Sequence, residues 1–430
     1  MDNIIKIGLF GLGTVGRGVY RTLEENSDII QQRVGVKIEI KKVLVRSLNK
    51  ERGISIPEER LTTDPNDLIA DPEIKIIVEV LGGINPTLDY VLAALNSGKS
   101  VVTANKDMMA EYGQRLFKAA QNNNCDLLFE ASVAGGIPII RTLKQSLAGN
   151  RIEGIYGIIN GTTNYMLTKM FQEGCDFKDV LSEAQAKGYA ESDPTADVGG
   201  FDAARKLTIL ASIAFNTRVP LSKVHTEGIT NITVADITSA NELGYTIKLL
   251  GIAKERPEGI EVRVHPTFIP KDHPLASVGD VFNAVFVRGN AVGDTMFYGK
   301  GAGELPTASA VVADIMDAAR DILRNVPGFI GCTCFKEKPV LDIGETYSKY
   351  YIRLKVADKP GVLASIALVF GNKEVSLKSV LQKEATGKTA ELVLVTHRVL
   401  EQNVQDALMD IKQLSSVLDI SNVIRVEGEE

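Results

Sequence analysis

The 430-residue sequence predicts an α/β protein that begins with a doubly wound parallel sheet and continues with an α+β domain and a smaller C-terminal unit. Three observations predict this class. Short apolar runs alternate with helical segments over residues 1–145, the pattern of right-handed βαβ units. Strand-like segments dominate from Lys248 to Tyr298, which indicates an antiparallel sheet. Residues 349–430 follow the order βαββαβ of a ferredoxin-like unit.

The first domain, predicted at residues 1–145, contains apolar runs that end at glycine or polar residues, as buried strands do. Its predicted strands are Ile4–Phe10, Val36–Val45, Ile74–Leu81, Ser100–Thr103 and Asp126–Ala131. Its predicted helices are Gly18–Glu25, Thr87–Asn96 and Met108–Asn122. A long alanine-rich helix, Glu304–Arg324, is expected to return to this domain, which adds residues 304–325 to it.

The second domain is predicted at residues 146–303, and the glycine- and proline-containing segment 326–348 is predicted to link it to the C-terminal unit. Its first predicted elements are the strand Arg151–Asn160 and the helices Thr162–Gln172, Phe177–Lys187 and Phe201–Phe215. The elements of the C-terminal unit are predicted, in βαββαβ order, at Tyr350–Val356, Gly361–Phe370, Ser376–Glu384, Ala390–Thr396, Leu400–Leu414 and Ser421–Glu427.

Composition and charge exclude several classes of function. The formal net charge of −6 argues against a nucleic acid or an anionic membrane as the main partner. No apolar run is long enough to span a bilayer, and the N-terminus lacks the basic and apolar regions of a signal peptide. Four cysteines in a chain of this length are not a disulfide framework, so we expect a cytoplasmic protein. Cys332 and Cys334 form a lone Cys-x-Cys, more typical of free thiols than of a metal site.

The segment Gly11-Leu12-Gly13-Thr14-Val15-Gly16 connects the first predicted strand to the first predicted helix. In this context G-x-G-x-x-G is the fingerprint of a Rossmann-type dinucleotide site. Gly11 permits the tight turn, Gly13 lets the backbone approach a pyrophosphate, and Gly16 allows the helix to pack closely on the strand. The helix N-terminus then faces the anion. The alternative is a purely structural turn.

The end of the second predicted strand bears on the choice between NAD and NADP. NAD sites usually place an acidic residue there, which binds the ribose hydroxyls. This sequence has Arg46 at that position, with Lys50 close by. A guanidinium can bind a 2′-phosphate through two hydrogen bonds, so the sequence favours NADP. The alternative is that Arg46 only points to solvent.

Polar residues in two other places are candidates for the chemistry. Lys106 follows the predicted strand Ser100–Thr103, and ligands of open α/β sheets bind at the carboxyl ends of strands, although surface lysines are common there too. Asp202 and Lys206 lie four residues apart on a predicted helix and share one face. The loop before that helix contains Glu191 and Asp197, whose carboxylates could receive a substrate ammonium group. The alternative for Asp202 and Lys206 is a surface ion pair worth about 0.3–0.5 kcal/mol.

Five separated motifs together make the sequence resemble homoserine dehydrogenase over essentially its full length. They are Gly11–Gly16, Val101–Lys106, FEASVAGGIP at Phe129–Pro138, NGTTNYML at Asn160–Leu167 and GYAESDPTADVGGFDAARK at Gly188–Lys206. Several motifs in the right order are far more specific than any one of them. The resemblance implies NAD(P)H-dependent, reversible reduction of L-aspartate 4-semialdehyde to L-homoserine in threonine, methionine and isoleucine biosynthesis.

The resemblance also implies roles for individual residues. Lys206 matches the catalytic lysine, Lys106 a lysine that reaches cofactor and substrate, and Asp202 a substrate-binding residue. Glu191 matches the acid that binds the homoserine amino group, and Asp197 lies nearby. Gly188 and Gly303 match positions that line the cofactor, in addition to Gly11, Gly13, Thr14, Val15, Gly16, Arg46 and Lys106.

A monovalent cation, usually sodium, and an oligomer are further implications of the resemblance. The matching cation ligands are Glu130 and the backbone carbonyls of Val133, Gly135 and Ile137, a donor set that suits a hard cation. The implied mechanism is hydride transfer from NADPH to the aldehyde carbon. Lys206 stabilises the growing negative charge on the oxygen and donates a proton to it. The family pattern implies a homodimer or homotetramer.

The turn after the first strand of the C-terminal unit resembles the effector site of an ACT domain, which in this family commonly responds to threonine. Asp358 precedes Pro360 and Gly361, and the following helix offers free backbone N–H groups at Val362 and Leu363. These groups, with Asp358 for an ammonium group, could hold an amino acid. The alternative is that the unit only mediates subunit contacts. Truncation near Thr346 is expected to leave activity and remove threonine sensitivity.

Two other classes of function compete with this hypothesis. An enzyme that oxidises aldehydes through a cysteine thiohemiacetal needs an activated thiolate, yet neither Cys125 nor Cys175 has a histidine motif nearby. A regulator that binds NADP and an amino acid without catalysis would leave Lys106 and Lys206 without a role.

Overall fold

The computed structural model describes residues 4–383 and 387–428. Its strands, in chain order, are β1 (Ile4–Phe10), β2 (Lys37–Leu44), β3 (Leu61–Thr62), β4 (Ile74–Glu79), β5 (Ser100–Thr103), β6 (Leu127–Leu128), β7 (Ile152–Ile158), β8 (His225–Thr226), β9 (Tyr245–Glu255), β10 (Ile260–Pro270), β11 (Phe282–Gly289), β12 (Gly293–Lys300), β13 (Tyr347–Ala357), β14 (Leu377–Gln382), β15 (Thr389–Thr396), β16 (Val399–Leu400) and β17 (Val417–Val426). Its α-helices are α1 (Thr14–Glu25), α2 (Ser27–Val34), α3 (Asn66–Ile69), α4 (Thr87–Asn96), α5 (Lys106–Asn122), α6 (Gly161–Glu173), α7 (Phe177–Ala186), α8 (Thr195–Val198), α9 (Phe201–Ala214), α10 (Val234–Glu242), α11 (Glu304–Arg324), α12 (Val362–Asn372) and α13 (Glu401–Ile411). Glu384, the predicted end of one C-terminal strand, lies outside the described residues.

The chain divides into two compact units. Unit 1 consists of Met1–Ile152, Arg205–Leu221 and Asn283–Glu337. Unit 2 consists of Glu153–Ala204, Ser222–Phe282 and Lys338–Glu430. No helix among the described residues is long and apolar enough to cross a membrane.

Unit 1 is built on a parallel sheet with the order β3-β2-β1-β4-β5-β6, which confirms the predicted fold class. The strand order reverses between β1 and β4, so the chain leaves a crevice at the carboxyl ends of these strands. The strands are apolar because both faces of the sheet are covered, and Ile7, Leu9 and Val78 are fully buried. Helix α11 packs on α1, where the Gly18 Cα faces the Glu304 carbonyl and Ala308.

Two predictions for unit 1 are wrong in detail. The predicted strand Asp126–Ala131 stops at Leu128, because residues 130–132 form a 3₁₀ turn. In that turn the Glu130 N–H donates to the Asp314 carboxylate of α11 at 2.8 Å instead of to a neighbouring strand. Helix α2 was not predicted, since its short apolar stretch Ile29–Ile30 gives little helical periodicity.

Unit 2 contains a sheet segment with the order β7-β9-β10-β17-β13-β15-β14. Strands β9 and β10 form a long antiparallel hairpin that pairs Tyr245–Glu255 with Ile260–Pro270. Strand β17 lies between β10, with which it pairs in parallel, and β13, with which it pairs antiparallel. The predicted βαββαβ unit is therefore present, but its last strand also extends the sheet of the second domain.

Buried ion pairs connect the C-terminal strands to the rest of unit 2. Arg263 of β10 is 1 % exposed and donates to the Glu427 carboxylate at 2.8 Å. Arg353 of β13 donates to Asp236 of α10, which is 0 % exposed, also at 2.8 Å. Truncation near Thr346 would remove Glu427 and Arg353 from these two buried pairs, so we expect it to lower stability.

Candidate active site

The glycine loop after β1 has the geometry of an anion-binding turn. Gly11 adopts φ +103°, and its N–H donates to the Leu44 carbonyl at 3.0 Å. A Cβ on Gly16 would lie 2.2 Å from the Gly11 carbonyl oxygen, so only glycine permits this close return of the helix. A Cβ on Gly13 would meet nothing within 4 Å, so the space above the first turn of α1, at Thr14 and Val15, is open. The residues fit a dinucleotide pyrophosphate at the N-terminus of α1.

Arg46 follows the carboxyl end of β2, and its side chain is exposed. The loop that follows Arg46 is stabilised by the Arg52 guanidinium, which donates to the carbonyls of Leu48 at 3.1 Å and Lys50 at 2.6 Å. Arg17, at the first turn of α1, donates to the Arg52 carbonyl at 3.2 Å. This loop therefore lies beside the glycine loop, where an adenosine ribose binds in this fold.

Polar residues at the carboxyl ends of β4 and β5 form a network that sequence reasoning did not identify. Glu79 is fully buried, and its carboxylate accepts hydrogen bonds from the backbone N–H groups of Leu81 and Gly82 and from the Thr103 hydroxyl. Burial raises the pKa of Glu79. Asn105 donates to the Gly83 carbonyl at 2.6 Å, and its side-chain oxygen caps α5 through the Met108 N–H. An acidic residue near the end of an apolar strand, three positions before Gly82-Gly83, was the available signal.

Lys106 is the first residue of α5, so this network fixes the position of its backbone. The neighbouring Asp107 forms an ion pair at 2.9 Å with Arg205 of α9. Arg205 precedes Lys206, which is half-buried on the same helix. Within unit 1, this ion pair therefore connects the N-terminus of α5 to α9, and each of its residues is adjacent in the chain to one of the two predicted catalytic lysines.

Asn160 organises two of the predicted carboxylates in unit 2. Its side-chain nitrogen donates to Asp197 at 2.7 Å and to Asp202 at 2.9 Å, and its oxygen caps α6 through the Thr163 N–H. Asp202 is 7 % exposed and precedes Lys206 by one turn of α9. Asn160 is the first residue of the motif NGTTNYML, but the sequence does not predict a role for its side chain.

The other predicted residues of this region lie on exposed backbone. Glu191 is exposed in the segment before α8, and its carbonyl accepts a hydrogen bond from Gln185 at 3.0 Å. Gly188 adopts φ +73° after the end of α7. In unit 1, Gly303 adopts φ +128° as the N-cap residue of α11. Both glycines are at positions where a side chain would strain the backbone.

The predicted cation loop is buried, and its backbone adopts two successive left-handed conformations. Ala134 and Gly135 adopt φ values of +57° and +52°, and a Cβ on Gly135 would lie 2.4 Å from the Gly301 carbonyl oxygen. The Glu130 carboxylate accepts the backbone N–H groups of Ile140 and Arg141 at 2.7 Å each. Burial raises the pKa of Glu130. Each oxygen of the Glu130 carboxylate therefore accepts one N–H of the following turn and keeps a lone pair for the predicted cation, beside the carbonyl oxygens of the loop.

An unsatisfied amide lies next to the same loop. The Asn283 side chain packs directly on Gly301, and within the described part of the chain neither its oxygen nor its nitrogen has a hydrogen-bond partner. A buried amide without partners is costly, so a hard cation or its water fits this place. No group of three or more His, Cys, Asp or Glu side chains within residues 4–383 and 387–428 could hold a metal ion.

The turn after β13 contains the residues predicted to bind an effector. Gly361 adopts φ +86° and is the N-cap residue of α12, and the Asp358 N–H donates to the Lys388 carbonyl at 2.9 Å. Asp358 and Leu363 are exposed, whereas Val362 is buried. The first turn of α12 is thus accessible at Gly361 and Leu363.

The sequence matches three family models in order along the chain. They are described as the homoserine dehydrogenase NAD-binding domain over residues 11–130, homoserine dehydrogenase over residues 138–316 and the ACT domain over residues 350–416. A homoserine dehydrogenase of Bacillus subtilis is 46 % identical over 428 residues, which cover 99 % of this chain and 98 % of the relative.

Solved structures show the same similarity. A homoserine dehydrogenase from Thiobacillus denitrificans matches with a TM-score of 0.94 and 44 % identity, covering 99 % of this chain and 98 % of that chain. A hyperthermophilic archaeal homoserine dehydrogenase in complex with NADPH matches with a TM-score of 0.63 and 29 % identity, covering 74 % of this chain and 98 % of that chain.

Proposed function

The chain belongs to the homoserine dehydrogenase family, and from this membership we propose that it reduces L-aspartate 4-semialdehyde reversibly to L-homoserine, with NADPH as the preferred hydride donor. The observation that carries the proposal is the glycine loop of unit 1 together with the lysines of α5 and α9 that the Asp107–Arg205 ion pair links. The product is a precursor in threonine, methionine and isoleucine biosynthesis.

Each group of residues has one task in this reaction. The loop Gly11–Gly16 would hold the pyrophosphate, and bound NADPH supplies the hydride to the aldehyde carbon. Lys206 holds a proton at Nζ, stabilises the developing alkoxide and donates that proton; in the reverse direction it accepts it. Lys106 reaches both cofactor and substrate. Glu191, with Asp197 nearby, binds the substrate amino group, and Asp202 binds the substrate close to Lys206.

Lys206 provides the direct test. Lys206→Ala should lower kcat by about 10²–10⁴-fold, the usual contribution of general acid–base catalysis, while the Kd for NADPH changes less than twofold. Lys178→Ala, an exposed lysine on α7, is the matched control and should retain full activity. Turnover is followed by NADPH absorbance with aspartate semialdehyde, and near-normal kcat in Lys206→Ala would remove this residue from the mechanism.

The preference for NADP is a separate proposal, supported by the exposed guanidinium of Arg46 at the carboxyl end of β2. Arg46→Ala should lower kcat/KM with NADPH by about tenfold, the loss of one charge-assisted hydrogen bond, and leave NADH unaffected. Arg33→Ala, on the exposed face of α2, is the control. Equal losses with both cofactors would show that Arg46 does not contact the 2′-phosphate.

We also propose a sodium site formed by Glu130 and by the backbone carbonyls of Val133, Gly135 and Ile137 in the buried loop. The support is the pair of positive φ values and the unsatisfied amide of Asn283 beside Gly301. Sodium should raise the melting temperature relative to choline at equal ionic strength. Asn283→Ala should reduce that difference if the amide contacts the cation or its water.

Two further parts of the proposal are feedback regulation by threonine and assembly into a homodimer or homotetramer. The open turn at Asp358 and Gly361 supports an amino-acid effector. The edge strand β14, with Val380 and Leu381 each 42 % exposed, supports pairing of C-terminal units. Because the C-terminal unit is built into unit 2, the test is Asp358→Asn rather than truncation. This variant should lose threonine inhibition with kcat retained, and light scattering should give the oligomer.

The rival mechanism through a cysteine thiohemiacetal lacks a suitable nucleophile at Cys125. This residue is buried, and burial raises the pKa of its thiol to about 11. The thiolate that the mechanism needs is therefore scarce at neutral pH.

A further inference from the structure

A cavity of about 260 Å³ in unit 1 lies away from the residues assigned above. Its walls come from α5, from the C-terminal half of α9 and from the segment that follows α11. Phe117, Phe129 and Ile213 supply apolar surface, and Lys144 and Arg218 supply two cationic groups. Cys332 and Cys334 complete the lining, so the cavity combines an apolar floor, positive charge and two thiols.

The two cysteines are held in a defined arrangement. The Arg218 guanidinium lies 3.8 Å from the Cys332 Sγ as a donor, and the Cys334 Sγ donates to the Ser212 carbonyl at 3.7 Å. The Lys336 N–H donates to the Asn216 carbonyl at 2.8 Å, which fixes the segment against the end of α9. Cys332 is exposed and Cys334 is partly exposed, so small molecules can reach both sulfurs.

The surroundings give the two thiols different reactivity. The neighbouring Cys334 thiol lowers the pKa of Cys332, and the positive charges of Arg218 and Lys144 act in the same direction. The same pairing and burial raise the pKa of Cys334. Cys332 therefore carries the thiolate and Cys334 retains the proton, the division of roles seen in thiol–disulfide exchange.

We propose that Cys332 and Cys334 form a reversible dithiol–disulfide site that exchanges with small anionic disulfides entering this cavity. The Cys332 thiolate attacks one sulfur of the small disulfide, forms a mixed disulfide and releases the other half as a thiolate. The Cys334 thiol then loses its proton to solvent and attacks the Cys332 sulfur, which releases the second half as a thiolate. The protein loses two electrons and one proton, and the small disulfide is reduced to two thiolates, which take up protons from solvent. Lys144 and Arg218 favour a disulfide with carboxylate groups.

The spacing of the two cysteines suits an internal bond. Residues two apart have Cα atoms at most about 7 Å from each other, close to the separation that a disulfide spans. The Cys334 thiol also interacts with the Cys332 sulfur, so the two sulfurs lie close together. This site does not depend on the proposed dehydrogenase activity.

The test uses the full-length protein and glutathione disulfide, because trypsin cleavage after Arg324 and Lys336 releases both cysteines in one peptide, Asn325–Lys336. After treatment, that peptide should lose the mass of two hydrogen atoms and recover it with dithiothreitol. Cys334→Ser should instead accumulate the glutathione adduct on Cys332. Cys332→Ser should give neither product at a comparable rate. Unchanged thiols in the wild-type peptide, or an adduct that persists while Cys334 is present, would overturn the proposal.

Alkylation kinetics give an independent readout with an internal control. Cys175 is partly exposed, and its sulfur lies 3.9 Å from the Glu173 carboxylate rather than beside a cation. The iodoacetamide rate at Cys175 is measured between pH 8 and pH 6 as the internal reference. The rate at Cys332 should stay nearly constant over this range, and Arg218→Gln should restore part of the pH dependence. Parallel profiles at the two residues would show that Cys332 is an ordinary surface thiol.

Discussion

Three glycines near the start of α1 separate the requirements of cofactor binding from those of folding. Gly13 has an ordinary φ of −80°, and a Cβ there would meet nothing within 4 Å. A Cβ on Gly16 would lie 2.2 Å from the Gly11 carbonyl oxygen, and one on Gly18 would lie 2.5 Å from the Glu304 carbonyl oxygen. The corresponding alanine variants should therefore differ in a predictable way.

Gly13→Ala should leave stability unchanged and weaken NADPH binding. The added methyl group occupies the space through which a pyrophosphate would approach, so at least one charge-assisted hydrogen bond of about 1.5–3 kcal/mol is lost. That loss corresponds to an increase in Kd of about 10- to 150-fold. Gly18→Ala should lower stability and leave the Kd for NADPH unchanged, because its methyl group lies against α11 and not against the cofactor.

Gly16→Ala should lower both stability and affinity. Its methyl group lies more than about 1 Å inside van der Waals contact with backbone that cannot rotate away. Overpacking of this kind costs about 1–3 kcal/mol, and a domain of this size loses about 2–4 °C per kcal/mol, so we expect a decrease of about 2–12 °C.

Differential scanning fluorimetry measures the melting temperatures, and quenching of protein fluorescence or nucleotide fluorescence measures the Kd for NADPH. The reasoning is refuted if Gly13→Ala binds NADPH like the wild type, because the phosphates would then lie elsewhere. It is also refuted if Gly16→Ala melts at the wild-type temperature, because the close contact would then be absent.

Two further predictions concern buried charges in unit 2. Burial lowers the pKa of Lys248 to about 8, so between pH 8 and 10.5 the unfolded chain binds more protons than the folded chain. The free energy of unfolding should therefore rise with pH over this range, by at most about 3 kcal/mol. Lys248→Met should flatten this rise, as measured by urea unfolding. Arg353→Met leaves Asp236 buried without its guanidinium and should cost about 3–5 kcal/mol. The exposed pair of Arg288 and Asp294 serves as the control, and Arg288→Met should cost no more than about 1 kcal/mol. Equal losses of stability in Arg353→Met and Arg288→Met would contradict the role of burial.

Sequence patterns predicted the elements that depend on local signals. Apolar periodicity and the glycine loop located β1, β4, β5 and α11, because each has a continuous apolar face and clear ends. The network of Glu79, Thr103 and Asn105 could not be predicted, since its members meet only after β4 and β5 pair. The same applies to Asn160, whose two carboxylate partners are 37 and 42 residues away in the chain.

The pairing of the C-terminal unit with the second domain could not be predicted for a similar reason. Nothing in the local sequence of Val417–Val426 indicates that it pairs with β10 as well as β13. The buried partners of Arg263 and Arg353 are likewise far away in the sequence. Patterns within a strand show that it is buried but do not identify its neighbours.

The position of β17 has a consequence for how the protein is made. Thr267 and Phe268 of β10 pair with Arg425 and Val426, residues that leave the ribosome long after them. During that interval β10 presents an open edge, and Arg263 has no carboxylate from the C-terminal segment. Contacts this distant in sequence form slowly, and exposed edges favour association with other chains. Nascent chains that stop before β17 should therefore be substrates for chaperones and proteases rather than unregulated enzymes.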